Sequence, residues 1–165
     1  MAAASDHDRK TTVVKAMDKD LLTETERDRV IESVTTLFVE TDKRDWSAVQ
    51  SCFATGVFFD MSSQGGGPPG TTTPDRIVQG WKNGLKNLQA IHHQAGNFLF
   101  HISGEAATVF CYGITFHYLP NPSRQNTRTF VGSYEFHLVK QDGVWLIDTM
   151  AYHAGFVDGN QNLGK

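Results

Sequence analysis

The spacing of apolar residues changes once along this chain. From residue 23 to about 88 they recur every three or four positions, and beyond about 91 they alternate. The first rhythm predicts helices and the second predicts strands. Val30, Ile31, Val34, Leu37 and Phe38 form one helical stripe, and Thr23-Glu24-Thr25-Glu26 fits a capping box that would start it. Lys43 and Arg44 suit the negative end of that helix. Asp45 would cap a second, shorter helix with Trp46, Val49 and Phe53 on one face and Gly56 at its stop. A short strand at 57–60 and a loop at 61–73 follow, the loop long for a compact domain. Thr73-Pro74 restarts a helix whose buried stripe is Ile77, Val78, Trp81, Leu85 and Leu88.

Strands are expected at 91–102, 106–119, 128–140 and 144–153. They turn at Ser103-Gly104, at residues 120–127 and at Gln141-Asp142-Gly143. Helices followed by a meander give an α+β order. Strands this long must twist and curve. Three helices laid into the concave side would then make a cone with an internal pocket, a natural ligand site. Residues 1–20 are polar and mixed in charge and are expected as a mobile tail, with the domain at 21–157 and a C-terminal tail at 158–165.

Composition excludes several function classes. The 165 residues carry 15 basic and 18 acidic side chains, a net charge of −3. No basic stripe forms, so nucleic acid is not an expected partner. No run of 18 apolar residues would span a membrane, and the first twenty residues lack a secretory apolar segment. Cys52 and Cys111 lie far apart and are expected as free thiols in a reducing, cytoplasmic setting. No HxxxH, HxH or CxxC spacing points to a metal. Gly65, Gly66 and Gly67 lack the Lys-Ser/Thr of a phosphate loop, so no cofactor is expected.

Histidine stands out. Seven are present, six of them after residue 90. In Ile91-His92-His93, neighbours on a strand face opposite sides, so only one of the pair can enter the pocket. His117 has opposite parity to Phe110, Tyr112, Ile114, Phe116 and Tyr118, and parity alone does not say which face is inner. Tyr134, Phe136 and Leu138 form an inward series, which turns Glu135 and His137 outward. His7, His101 and His153 are expected at the surface. Asp42 continues the stripe of Ile31, Val34 and Phe38, so it turns toward the core. A carboxylate there needs a partner or a wet pocket, unless the helix end simply frays into water. Asp60 ends the first strand, where it faces the pocket or starts the turn.

Several short motifs resemble a known family. Glu40-Thr41-Asp42-Lys43-Arg44-Asp45-Trp46 is similar to the D-x-x-D-W turn of the SnoaL-like group in the NTF2-like (cystatin-like) superfamily. His93-Gln94-Ala95-Gly96-Asn97 resembles that group's H-x-x-G-N. Thr115-Phe116-His117 resembles its A-x-H, and Gly132-Ser133-Tyr134 with Gly143-Val144-Trp145 resembles its G-x-Y and dg-x-W. The order and spacing hold from about residue 22 to 153. The resemblance implies the cone fold, and a homodimer formed on the outer sheet face. It implies a dehydratase, cyclase or isomerase acting without a cofactor on a hydrophobic oxygenated substrate such as a polyketide, terpenoid or steroid. The catalytic Asp-His pair of those dehydratases matches Asp42 and His93. Their carbonyl-polarising tyrosines are replaced here by Thr41 and Met61. His117, Tyr112, Tyr134 and Asn97 remain open as substitutes. Phe38, Asp60 and Trp81 complete the expected substrate-binding set. The alternative is a non-catalytic ligand-binding or interaction module, since a fold does not fix a function.

Overall fold

The computed structural model describes residues 6–164, with side chains from Thr25 onward. Helix α1 (Asp6–Lys43) leads to α2 (Trp46–Ser51), strand β1 (Phe53–Asp60), a 3-10 turn (Ser62–Gln64), β2 (Gly70–Thr72) and α3 (Pro74–Leu85). Four long strands complete the chain: β3 (Ala90–Ser103), β4 (Ala106–Tyr118), β5 (Thr127–Gln141) and β6 (Val144–Gly159). They form one sheet in the order β2-β1-β6-β5-β4-β3. Every neighbouring pair is antiparallel except β1 and β6, which run parallel.

Four local expectations are corrected. The capping box at Thr23 does not start α1. No glycine or proline interrupts residues 6–22, and the backbone is helical from Asp6 on. Residues 6–20 of the expected tail are thus helical, while residues 1–5 lie outside the described residues. Helix α2 stops at Ser51, so Phe53 and Gly56 belong to β1 and not to the helix. The 61–73 segment is not all loop: β2 pairs back on β1, Val57 opposite Thr72. Finally, β6 runs on to Gly159, six residues past the expected strand end at 153, and Leu163 beyond it packs with Leu88 and Ile91.

Glu26, read as part of the capping box, has another task. Its Oε2 accepts hydrogen bonds from Lys140 Nζ at 2.8 Å and Trp145 Nε1 at 2.9 Å, tying α1 to the β5–β6 hairpin. The bond from Lys140 is the main reason its carboxyl titrates below its ordinary value. Behind this clamp Val30, Val34 and Leu37 pack on Val109, Phe136, Leu138 and Ile147.

Two glycines let the inner sheet face carry aromatic rings at close range. A Cβ on Gly113 would sit 2.3 Å from Cε2 of Tyr134, and one on Gly132 would sit 2.6 Å from the Tyr152 hydroxyl. They lie opposite each other across β4 and β5. Leu138 is fully buried at the centre of the sheet. Leu138→Ala is expected to lower unfolding free energy by about 2–5 kcal/mol in urea titration, the usual range for a buried leucine.

Candidate active site

Asp42 leaves the last turn of α1 beside β3. Its Oδ2 accepts the backbone N–H of His93 at 2.8 Å, and its Oδ1 lies 2.6 Å from His93 Nδ1. The helix end therefore does not fray; it docks on the strand. The pair is largely buried, with 17% and 14% of the two side chains exposed. Phe38, one turn back on α1, stacks on the imidazole at 5.2 Å between centroids. His92 lies on the opposite face of the strand with its side chain 68% exposed, as alternation requires, and only the edge of its ring, Nδ1, comes within 3.7 Å of Asp42 Oδ2.

His93 opens onto a cavity of about 650 Å3. Phe38 and Thr41 close its α1 side, and Ile77, Trp81 and Leu85 of α3 close another. The glycine-rich segment before β2 supplies Gly65 and Gly66, and β2 itself begins the wall's next stretch with Gly70. Ser63 pins that segment to β6, donating from Oγ to the Tyr152 carbonyl and accepting from the Ala154 N–H at 3.1 Å. The sheet contributes Thr115, His117, Arg128, Phe130, Tyr134, Met150 and Tyr152. Strand register places them: His93 sits opposite Thr115, and His117 sits opposite Arg128.

Of the expected binding residues, Phe38, Trp81, His117 and Tyr134 line this cavity. Three others do not. Tyr112 is 58% exposed on the outer face, because β4 turns Cys111, Gly113, Thr115 and His117 inward. Asn97 takes a positive φ of 57° in the irregular stretch between Gly96 and Leu99, and its side chain is exposed. Asp60 serves the turn: its Oδ1 accepts from Ser62 N–H at 2.9 Å and Ser62 Oγ at 2.6 Å. His137 lies outside as expected, with Nδ1 2.6 Å from Asp148 Oδ1.

The polar groups differ in character. His117 is buried, and burial together with the Arg128 cation lowers its pKa to about 4. His93 adds to that depression and Asp42 opposes it. Arg128 lies over the Phe130 ring at 5.1 Å, with Nη1 on the Gln161 carbonyl and Nη2 3.0 Å from His117 Nδ1. Burial also raises the Tyr134 phenol, and a hydrogen bond from Thr115 partly opposes that rise. Among the described residues, no carboxylate lines the cavity.

A family model for the SnoaL-like domain matches residues 23–151. The chain belongs to the SnoaL-like family. No curated protein matches it in sequence. Among solved structures, the Kfla4162 protein of Kribbella flavida shares 19% identity over 82% of this chain and 95% of its own, with a TM-score of 0.78. A type 2 hexachlorocyclohexane dehydrochlorinase (LinA) shares 15% over 88% and 96%, with a TM-score of 0.72. A candidate scytalone dehydratase from Novosphingobium aromaticivorans shares 14% over 88% and 92%, also at 0.72. At such identities the likeness is one of fold, and that fold is the NTF2-like, or cystatin-like, cone.

Sequence reasoning missed most of the lining residues of this SnoaL-like cavity, Thr115, Arg128 and Tyr152 among them. A signal for Arg128 existed. Counting back by twos from Tyr134 gives Gly132, Phe130 and Arg128 on the inner face. A charged residue just after a turn reads as solvated, which hid it.

The His117 environment makes stability depend on pH. The folded ring resists protonation down to about 4, whereas an unfolded histidine titrates near 6.5. Between those values the unfolded chain binds the extra proton, so stability rises with pH through the window and is lost as pH falls. Chemical denaturation from pH 7 to 4 should therefore show a steeper loss in the native chain than in His117→Gln. The two profiles should diverge by roughly 3 kcal/mol at the acid end.

Proposed function

We propose that this chain is a small-molecule lyase or isomerase in which His93 moves a proton next to a substrate carbonyl. The observation that carries the reading is the 2.6 Å Asp42–His93 contact at the wall of an open cavity. A carboxylate only accepts, so it holds the imidazole proton on Nδ1 and leaves the Nε2 lone pair as base. When His93 takes the proton, Asp42 stabilises the imidazolium, as in triad logic. The C–H electron pair becomes a carbon–carbon double bond, and the carbonyl oxygen takes negative charge. His93 then returns the proton to a leaving hydroxyl, which departs as water, or to another carbon.

Phe38, Phe59, Trp81 and Phe130 give the cavity an aromatic lining, which suits a hydrophobic, oxygenated ring substrate. This chemistry calls for no cofactor. A non-catalytic binding module has less support, because it gives no role to a hydrogen-bonded Asp-His pair facing unfilled space.

Asp42→Ala and His93→Ala should each lower kcat by roughly 10²–10⁴-fold with near-unchanged circular dichroism. Two variants that turn over like the native chain would overturn the proposal. The same reading includes a homodimer on the outer sheet face, where Tyr112, Phe116 and Tyr118 stand exposed. Tyr112→Glu with Phe116→Glu should then sediment as a monomer where the native chain sediments as a dimer.

A further inference from the structure

We propose that Arg128 fixes His117 as a neutral N–H donor, and that His117 Nε2–H holds the substrate oxygen that becomes negative as His93 takes its proton. This assignment deepens the proton-transfer reading and rests on it. It fills the role left open by Thr41 and Met61, neither of which offers the phenol of a carbonyl-polarising tyrosine.

Each ring's partner decides its tautomer. A guanidinium carries donors and no acceptor. Arg128 Nη2, 3.0 Å from His117 Nδ1, therefore donates, and Nδ1 must present its lone pair. A neutral imidazole with a bare Nδ1 bears its proton on Nε2. His93 is the opposite case: the Asp42 carboxylate accepts from Nδ1–H, so Nε2 is bare. Two histidines thus line one cavity in opposite tautomers, one able to accept a proton and one able to donate a hydrogen bond. Among the described residues, no protein group hydrogen-bonds Nε2 of either ring.

Register brings the two rings together. His93 faces Thr115 across β3 and β4, and His117 is the next inward residue on β4. Such diagonal neighbours stand roughly 7–8 Å apart at Cα, less between side chains. That span brackets a carbonyl and its adjacent carbon. Charge supports the neutral form of His117. Its burial, the Arg128 cation and His93 all oppose protonation, and only Asp42 favours it. The two phenols are poorer donors to a ligand. Tyr134 is only 4% exposed, and the Tyr152 hydroxyl has essentially no accessible surface.

The deciding experiment is long-range 1H–15N NMR on the full chain with ring-labelled histidine, the signals assigned with His93→Ala and His117→Gln. From pH 5 to 8 the expected spectrum has His117 protonated at Nε2 only and His93 protonated at Nδ1. In Arg128→Met, which keeps an unbranched stem and removes the donors, His117 should show mixed tautomers and titrate closer to an ordinary histidine. A His117 proton on Nδ1, an imidazolium at pH 7 in the native chain, or an unchanged His117 in Arg128→Met would overturn the proposal. The native spectrum decides the tautomer even if Arg128→Met does not fold. His117→Phe should lower kcat roughly 10²-fold, as expected for loss of one oxyanion donor; an unaltered kcat would remove His117 from that role. Full turnover by His93→Ala would sink the proton-transfer reading instead and leave the His117 tautomer as found, so the two fail separately.

Discussion

Asp42 grips β3 at two points, and the cavity is arranged around that grip. One oxygen takes the backbone N–H of His93 and the other takes its ring. The backbone bond fixes where α1 ends on the strand, and the ring bond fixes the angle of the imidazole. Both are charge-assisted and little exposed, a setting in which such bonds are stronger than neutral ones. A carboxylate at this depth would be costly alone. Its two partners account for its place on an otherwise apolar helical stripe. The helix end, the strand register and the orientation of the imidazole are therefore not independent features. Each is held by the same side chain.

A second consequence concerns chemistry rather than architecture. Two histidines in one cavity are not equivalent merely because they share a pKa in solution. An acceptor beside Nδ1 makes one ring a base at Nε2, and a donor beside Nδ1 makes the other a donor at Nε2. The distinction is written in neighbours on different elements, Asp42 on α1 and Arg128 on β5.

Much of this was visible in the sequence, for identifiable reasons. Helical periodicity turned Asp42 inward, because the three- and four-residue stripe through Phe38 extends to it, but left a fraying helix end equally open until the motif resemblance favoured the pair with His93. The choice of His93 over His92 needed a motif, since alternation says that one ring enters but not which. Tyr112 was misplaced for a physical reason. The heavier face of β4 is the outer one, and the small residues Cys111, Gly113 and Thr115 face inward, where helices and cavity claim the space. The pairing of β2 with β1 was not legible, because three residues carry no periodicity and their register depends on a partner far from the turn chemistry. The early start of α1 was missed because a good capping motif outweighed a polar run whose one helical signal is the absence of glycine and proline.

Gly113 bears on how such a cavity can be altered. With no side chain on it, the Tyr134 ring rests directly against main chain, and main chain in the middle of a paired sheet does not yield to a ligand. The sheet wall is therefore a fixed template. The opposite wall is made of α3 side chains, Trp81 and Ile77 among them, and of the glycine-rich segment around Gly66. Retooling the cavity for a ring of another shape would have to be done there, leaving the sheet that carries the two histidines untouched.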